Sequence, residues 1–443
     1  MQAVHLARET EKSPCNPDWR CCNDTSRKIV YWFEGVHVNL FIEFLRQNLR
    51  HGSIQLAMPD GTHYVLGQGQ PEAHWKFTDP KAMGRILRDY DLELGETYTE
   101  GGWHSKPGEL LNLLEVLMLN FGETKEHGLR GGWARLYKIF QLGNRIARSY
   151  SNVTHHYDID EWVFRCFLDC NMFYSCAYFE KENLTLEEAQ LAKCRLIMNK
   201  LLLQPGQRVL DIGCGWGGLA LYLAEHADVR VTGVTLSREQ LRVACEEAER
   251  HGLQNQVEFR LQDYREHRDK YDRVVSVGMF EHVGARHFRH FFKQIDALLN
   301  PDGIALIHTI GESHRSSSTN PWIRRHIFPG GYIPSLSEIS RAAERSTLIK
   351  TDVEILRLHY ARTLSEWLNR FGTHRDEVAE RMGETFCRMW EFYLAATSAA
   401  FRYWDLVVFH VQLAKRHGLV PIHRHYLLGD AGHPDQIESV IRK

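Results

Sequence analysis

The sequence has no long uninterrupted run of apolar residues. The longest apolar stretch, Leu110 to Phe121, is broken by Asn112 and Glu115, whereas a helix needs about 20 mostly apolar residues to cross a bilayer. The residues after Met1 also lack the basic-then-apolar pattern of a secretory signal. These absences predict a cytoplasmic protein without a transmembrane span.

The chain also lacks a strong charge of one sign and a disulfide-like cysteine pattern. Its net charge is −2, so no global field draws it to nucleic acid. The ten cysteines are scattered, which is typical of reduced cytosolic thiols. Cys15, Cys21 and Cys22 lie close together but do not form the two ligand pairs of a structural zinc site. We expect no nucleic-acid partner and no metal site.

What is present is an alternation of strand and helix patterns, which predicts a doubly wound, parallel α/β sheet with helices on both faces. The predicted strands and helices are 208–212, 219–226, 229–234, 238–251, 257–261, 273–277, 286–299 and 303–310. A further strand over 352–358 and a long aromatic helical insertion over 363–416 are expected to follow. Near the N-terminus, 52–61 reads as a strand closing on a turn, and 63–66 as its hairpin partner.

The predicted domain organisation has four parts. They are a mobile segment (1–30), a small α+β N-terminal domain (31–125), a linker (126–152) and a large domain (153–443).

The most informative motif is the glycine-rich turn from Asp211 to Gly218, directly after a predicted buried strand. Its glycines allow a sharp turn and a close approach to a ligand. They satisfy the dinucleotide fingerprint, but the next strand ends in Thr235-Leu236-Ser237 without the acidic residue that binds a nicotinamide ribose. An oxidoreductase is therefore disfavoured, and the turn looks like motif one of S-adenosylmethionine-dependent methyltransferases.

Two polar residues follow neighbouring predicted strands. Glu281 comes after the fourth strand and His308 lies at the end of the fifth, and both are expected outside the carboxyl edge of the sheet. Together they would form an acid–base or anion-holding pair. The alternatives are a contact that only orders loops and, for His308, a hydrogen-bonded core histidine.

Several longer motifs resemble cyclopropane-fatty-acyl-phospholipid synthases and the related cyclopropane mycolic acid synthases, members of the S-adenosylmethionine-dependent methyltransferase superfamily. The matching segments are 156–158, 174–179, 211–218, 233–240, 262–265, 278–284, 327–334 and 359–364, with Trp367. The resemblance spans about residues 153–430, and 52–103 looks like the small N-terminal domain of the bacterial enzymes. It implies a seven-stranded, mostly parallel methyltransferase-type sheet with a helical substrate-binding insertion.

The resemblance also implies a reaction and a set of site residues. The enzyme would transfer a methylene group from S-adenosylmethionine to the double bond of an unsaturated phospholipid acyl chain, with bound bicarbonate deprotonating a carbocation. The implied catalytic residues are Cys176, Glu281, His308 and Tyr360, with backbone near Ile310. The implied cofactor-binding residues are Tyr174, Ser175, Asp211, Gly213, Gly215, Gly217, Thr235, Leu236, Gln240, Asp263 and Tyr264.

The chain departs from the family pattern at two places. Thr397 stands where members commonly carry a cysteine in the insertion, so that thiol cannot be essential in this chain unless Cys387 or a hydroxyl substitutes, and Thr397 is a further catalytic candidate. Asp160-Glu161-Trp162 replaces the usual Gly-Asn-Asp. A methyl-branched lipid product, a small amine as acceptor, and a non-catalytic lipid-binding protein are therefore alternatives.

The proposed substrate has consequences for partners. A phospholipid substrate implies peripheral docking on the inner membrane face, and the family implies a homodimer. The aromatic residues of the insertion would line an acyl channel or form ordinary helix core; they are Trp390, Phe392, Tyr393, Phe401, Tyr403 and Trp404.

Overall fold

The computed structural model describes residues 38–121 and 159–428, except 315, 317 and 318. Within these residues the chain forms a four-stranded sheet and a seven-stranded sheet. The predicted mobile segment 1–30, the predicted linker 126–152 and the cysteines near the N-terminus lie outside the described residues, as do the predicted domain boundaries.

The smaller sheet belongs to the N-terminal part of the chain. Its elements are α1 (38–48), β1 (Gly52–Ala57), β2 (His63–Gln68), β3 (Glu72–Phe77), α2 (Pro80–Arg88), α3 (Tyr90–Thr99), β4 (Trp103–His104) and α4 (Leu110–Phe121). The strand order is β2-β1-β3-β4. The predicted hairpin is present: β1 and β2 are antiparallel, and Ala57 pairs with His63.

The larger sheet and its helices follow. Their bounds are α5 (Glu161–Arg165), α6 (Leu186–Leu201), β5 (Arg208–Ile212), α7 (Gly218–Ala227), β6 (Arg230–Thr235), α8 (Arg238–Arg250), β7 (Val257–Leu261), β8 (Tyr271–Val277), α9 (Phe288–Leu298), β9 (Leu299–Glu312), α10 (Pro321–His326), α11 (Leu336–Ala343), β10 (Ile349–Ile355), α12 (His359–Thr373), α13 (Arg375–Met382), α14 (Glu384–Tyr403) and β11 (Leu406–Ala414). Short 3-10 turns occupy Phe280–His282, Ala285–His287 and Arg424–Leu428.

The strand order of the larger sheet is β10-β11-β9-β8-β5-β6-β7. The five strands from β9 to β7 are parallel, whereas β11 is antiparallel to both of its neighbours. This arrangement confirms the predicted fold class, a mostly parallel seven-stranded sheet with a separate small sheet. Among the described residues, no helix combines the length and the apolarity needed to cross a membrane.

The predicted helical insertion is wrong at its C-terminal end. Helices α12 to α14 end at Tyr403, and Leu406–Ala414 forms strand β11 between β9 and β10. Because β11 is buried on both faces, its sequence lacks the apolar–polar alternation that marks a half-exposed strand. The other predicted strand, 352–358, lies three residues earlier, at Ile349–Ile355.

The helical insertion packs on the small sheet. The buried guanidinium of Arg388 in α14 donates to the carbonyl oxygens of Tyr98 and Trp103, each at 2.6 Å. Phe392, one turn later, packs its ring 5.8 Å from that of Tyr98 and 6.5 Å from that of Trp103. The two parts of the chain therefore share one hydrophobic core.

Candidate active site

The glycine turn after β5 is built from left-handed backbone. Gly213, Gly215 and Gly217 have φ values of 83°, 54° and 90°, a region that costs other residues energy. At Gly217, which caps the N-terminus of α7, a Cβ atom would lie 2.8 Å from the Phe259 ring and 2.9 Å from Cβ of Ala244. At Gly215 a Cβ atom would meet nothing within 4 Å. Gly217 thus allows packing, whereas Gly215 borders open space.

That open space is a cleft at the carboxyl edge of β5 and β6, with about 1250 Å³ of empty volume including its mouth. All the predicted cofactor-binding residues except Gly217 line it: Tyr174, Ser175, Asp211, Gly213, Gly215, Thr235, Leu236, Gln240, Asp263 and Tyr264. No site role was predicted from the sequence for further lining residues, which are Lys193 and, within the matched segments 262–265 and 278–284, Gln262, Arg265, Met279 and His282.

Asp211 is the buried carboxylate of the cleft. Burial raises its pKa to about 7, and the nearby Lys193 ammonium opposes that shift. Its Oδ2 atom is buried and accepts no hydrogen bond from the described residues. Since buried polar atoms are normally satisfied, this oxygen suits a ligand with N–H or ammonium donors.

Lys193 supplies the opposite charge. It lies on α6, fully buried; its Nζ donates to Oγ of Ser175 at 3.0 Å and lies 3.9 Å from the ring centroid of Phe173. Burial lowers its pKa. The sequence signal was present, because Lys193 occurs among apolar residues on the inward face of an amphipathic helix, where an unpaired lysine is rare.

The remaining polar groups of the cleft are held by one another. The Thr235 hydroxyl donates to Oε1 of Gln240 at 2.9 Å, and Arg265 binds both carboxylate oxygens of Asp263, at 2.8 and 2.6 Å. The ring of Tyr264 is buried. These contacts fix the orientation of the Thr235, Gln240 and Asp263 side chains, all predicted to bind the cofactor.

Glu281 and His308 are buried and do not line the cleft. Glu281 is 7% exposed; its Oε1 accepts the backbone N–H of Ile310 at 2.5 Å, and its buried Oε2 accepts no hydrogen bond from the described residues. Burial raises the pKa of Glu281 to about 7. This hydrogen bond connects Glu281 to strand β9 at Ile310, two residues after His308.

His308 is paired with a second histidine. Its Nδ1 lies 2.7 Å from Nε2 of His410 on β11. Burial lowers the pKa of His308 to about 3, and the ammonium groups of Lys193 and Lys200 add to that effect. His308 is therefore a neutral imidazole at physiological pH. His410 lies in the segment predicted as helix, so sequence reasoning missed this pair.

Cys176 and Tyr360 come from two segments that touch each other. Burial raises the pKa of the Cys176 thiol far above its usual range, so Cys176 is uncharged and unsuited to nucleophilic attack. The N–H of the next residue, Ala177, donates to Oγ1 of Thr363 at 3.1 Å, on the same helix as Tyr360. Neither Cys176 nor Tyr360 lines the cleft.

Thr397 is half-buried on α14 and lies outside the cleft. Cys387 is ten residues earlier on the same helix, which corresponds to about 15 Å along the axis. Its Sγ faces the carbonyl oxygen of Arg375 at 3.7 Å. Cys387 therefore does not replace the family cysteine at position 397.

The aromatic residues of the insertion are mostly helix core, which is the alternative that the sequence left open. Trp390, Phe392, Tyr393 and Phe401 are buried and none of them lines the cleft. One contact connects these residues to the cleft: the Tyr393 hydroxyl lies 2.9 Å from that of Tyr174, which does line the cleft.

Across the part of the chain that the structure describes, no group of three or more His, Cys, Asp or Glu residues could hold a metal ion.

The geometry can be compared with known proteins. A family model described as mycolic acid cyclopropane synthetase matches residues 144–411. The chain belongs to this family. It is 39% identical to the cyclopropane-fatty-acyl-phospholipid synthase of Escherichia coli (strain K12) over 82% of this chain and 96% of that protein. It is 35% identical to the tuberculostearic acid methyltransferase UfaA1 of Mycobacterium tuberculosis, over 81% of this chain and 87% of that protein.

A solved structure supports the cofactor. The mycolic acid cyclopropane synthase CmaA1, crystallised with SAH and CTAB, is 34% identical, with a TM-score of 0.58 over 60% of this chain and 98% of that chain. As a member of the cyclopropane synthetase family, the chain is an S-adenosylmethionine-dependent methyltransferase. The unpaired Oδ2 of Asp211 and the open space at Gly215 fit such a cofactor.

Proposed function

We propose that this cyclopropane synthetase family member converts an unsaturated acyl chain of a phospholipid into a cyclopropane fatty acyl chain, using S-adenosylmethionine as the one-carbon donor and bicarbonate as the base. In the balanced reaction, the π electrons of the double bond form the new C–C bond while the S–CH₃ bond breaks. A C–H bond of the transferred carbon then supplies the electrons that close the ring, and its proton leaves.

The proposal of a phospholipid substrate rests on how much of this chain is similar to the E. coli enzyme. The match to the phospholipid-modifying enzyme of E. coli covers 82% of this chain, whereas the match to the mycolic acid enzyme CmaA1 covers 60%. The family model begins only at residue 144, so it leaves out the small N-terminal sheet. Similarity over 82% of this chain and 96% of the E. coli enzyme supports a phospholipid substrate over a mycolic acid.

Bound in the cleft, S-adenosylmethionine would supply a methyl group on a positively charged sulfur. Asp211 would accept hydrogen bonds from its ammonium group, and Lys193, acting with Ser175, would face its carboxylate. Gly215 would admit the ligand because a side chain there would fill the open space. Thr235 and Gln240 would take the ribose hydroxyls, and Asp263 and Tyr264 the adenine.

At the acceptor end, the residues of this chain would hold a small anion that takes the proton. Glu281 has a carboxylate oxygen, Oε2, that accepts no hydrogen bond from the described residues and would accept one from the hydroxyl of a bicarbonate ion. His308 offers an N–H donor, whereas the N–H of Ile310 already donates to the other oxygen of Glu281. Cys176, Tyr360 and Thr397 would complete this end of the site. An anion that fixed donors hold in a buried site stabilises a developing cation strongly.

The substrate would reach the site from a membrane surface. Three large apolar side chains of α1 and β2 are exposed, Leu40 at 55%, Phe44 at 44% and Val65 at 75%. Such groups favour contact with lipid. Sedimentation with anionic phospholipid vesicles should deplete the protein from the supernatant, and a L40S/F44S double variant should sediment less; equal depletion would contradict the role of these residues.

A radiolabel experiment tests the reaction. Labelled S-adenosylmethionine and vesicles of cis-unsaturated phosphatidylethanolamine should give labelled acyl chains heavier by one methylene group, and fragmentation should show a ring. Saturated vesicles are the control. Label on a small amine with lipids inert, or no label with any unsaturated lipid, would overturn the proposal.

A second candidate is a methyl-branched lipid product. It is favoured by the similarity to UfaA1, a protein named a methyltransferase, which is 35% identical over 81% of this chain. The same mass spectra distinguish the two, because fragmentation separates a methyl branch from a ring.

A further inference from the structure

Three strands of the larger sheet bring a row of polar side chains together on one face. His410 of β11 pairs in register with His308 of β9 on one side and with Glu354 of β10 on the other. Helix α6 packs against this part of the sheet and places Lys200 beside the row. Lys200 and His410 are fully buried, and His308 is nearly so.

The contacts form a continuous chain. The ammonium nitrogen of Lys200 binds Oε2 of Glu354 and lies 3.2 Å from Nδ1 of His410. Nε2 of His410 lies 2.7 Å from Nδ1 of His308. His410 thus uses both of its ring nitrogens in these contacts, and His308 uses Nδ1.

The chemistry of the groups fixes the direction of every bond. A lysine ammonium has three donors and no acceptor. Burial lowers the pKa of Lys200, and the ion pair with Glu354 opposes that shift and favours the ammonium form. Nδ1 of His410 must therefore accept, which places the single proton of that neutral ring on Nε2. This proton is donated to Nδ1 of His308, so the proton of His308 lies on Nε2.

We propose that Lys200 and His410 are positioning residues that hold His308 as a neutral imidazole with its N–H on Nε2. This inference rests on the proposed function, in which that N–H donates to the bicarbonate ion near Glu281. With the opposite direction of bonds, His308 would present a lone pair to an anion and repel it.

Two substitutions at position 410 distinguish the effect of hydrogen-bond direction from the effect of side-chain packing. In His410→Gln the amide oxygen can accept from Lys200 and the amide N–H can donate to His308, so the order of donors is preserved. In His410→Leu both bonds are lost in a side chain of similar size. At position 200, Lys200→Arg keeps a donor and Lys200→Met removes it.

Bicarbonate dependence is the first measurement. In bicarbonate-depleted buffer, the concentration of added bicarbonate that gives half-maximal activity should rise about 10- to 100-fold in His410→Leu and Lys200→Met, the range typical of lost supporting hydrogen bonds. It should stay within about threefold in His410→Gln and Lys200→Arg. The affinity for S-adenosylmethionine should be unchanged in all four, which also shows that they fold. Equal half-maximal concentrations in His410→Leu, Lys200→Met and the wild type would overturn the inference.

The second measurement does not depend on the reaction. Long-range ¹⁵N–¹H correlation spectra of ¹⁵N-histidine protein, with His308 assigned by the signal lost in His308→Asn, should show the Nε2–H form. That form should persist in His410→Gln and lose its dominance in His410→Leu. An Nδ1–H form in the wild type refutes the assigned direction, whereas activity independent of bicarbonate together with an Nε2–H form refutes the proposed base and leaves the direction intact.

Discussion

The two ends of the candidate site use charge in opposite ways. The cleft at β5 and β6 places a buried carboxylate, Asp211, near a buried ammonium, Lys193. The other end contains two neutral imidazoles, His308 on β9 and His410 on β11, and Glu281 in the turn after β8, whose pKa is raised to about 7. The first end suits a ligand that carries both charges, and the second suits a small anion bound through N–H donors in a dry environment.

This difference predicts that the two ends can be damaged separately. Replacing Glu281 by Gln should lower kcat by about 10²- to 10³-fold, as for other lost electrostatic contacts in a preorganised site, and should leave the affinity for S-adenosylmethionine unchanged. Release of S-adenosylhomocysteine with unsaturated vesicles measures kcat, and calorimetry measures affinity.

The matched control is Glu115→Gln, another buried carboxylate whose pKa burial raises, on α4 of the N-terminal part. Glu115→Gln should change kcat by less than about threefold, because it alters the stability of the N-terminal part and not the reacting groups. If kcat falls less than tenfold in Glu281→Gln, Glu281 has no role at the acceptor end.

The raised pKa of Glu281 also has a consequence for stability. A carboxyl group whose pKa is about 7 in the folded state and near 4.5 when unfolded favours folding below 4.5, and this contribution is lost as pH rises through 7. Between pH 5 and pH 8, the free energy of unfolding of the wild type should fall by up to about 3 kcal/mol relative to that of Glu281→Gln.

Urea denaturation at pH 5 and pH 8 measures this difference. Glu43→Gln, which removes an exposed carboxylate, controls for the loss of a charge and should track the wild type. The same titration should raise activity as pH increases through about 7, because the proposed role of Glu281 needs the carboxylate. Parallel stability curves for wild type and Glu281→Gln would show that Glu281 is ionised without penalty.

At the cleft, two glycines should respond differently to alanine. Both have positive φ, which costs about 1–2 kcal/mol for a residue with a Cβ. In Gly217→Ala the Cβ also meets Phe259 and Ala244, so the melting temperature should fall more, with cofactor affinity kept within about threefold. In Gly215→Ala the Cβ enters the open space, so the dissociation constant for S-adenosylmethionine should rise about tenfold, or 1.4 kcal/mol. If Gly215→Ala and the wild type bind S-adenosylmethionine with equal affinity, the ligand does not lie against Gly215.

The same contrast explains what the sequence could predict. The cleft is built from short contiguous motifs at the ends of parallel strands, and local pattern is enough to place Asp211, Gly215 and Thr235 at one edge. The α/β alternation likewise predicted the larger sheet. Gly217 was assigned to the cofactor because spacing cannot distinguish a glycine that borders a ligand from one that allows packing.

The acceptor end could be predicted only in part. His308 and His410 are 102 residues apart and Lys200 and His410 are 210 apart, so their contacts depend on strand order. That order was hidden because β11 is buried on both faces and follows an aromatic helix without a break in hydrophobicity. The sequence does mark Lys193 as a lysine on an apolar helix face, but its partner Ser175 lies in a loop whose path the sequence does not specify, so its place in the cleft could not be predicted.

Position 397 should give the smallest effect. If the Thr397 hydroxyl replaces the family cysteine as a weak hydrogen-bonding group, Thr397→Val should lower kcat/KM about 3- to 10-fold, the equivalent of one hydrogen bond, and Thr397→Cys should stay within about twofold. Ser398→Ala is the control, because the neighbouring Ser398 hydroxyl donates to the carbonyl oxygen of Ala361 at 2.9 Å inside the core; it should lower the melting temperature and spare kcat/KM. An unchanged kcat/KM in Thr397→Val would mean that the acceptor end works without this hydroxyl and depends on the buried pair of Glu281 and His308.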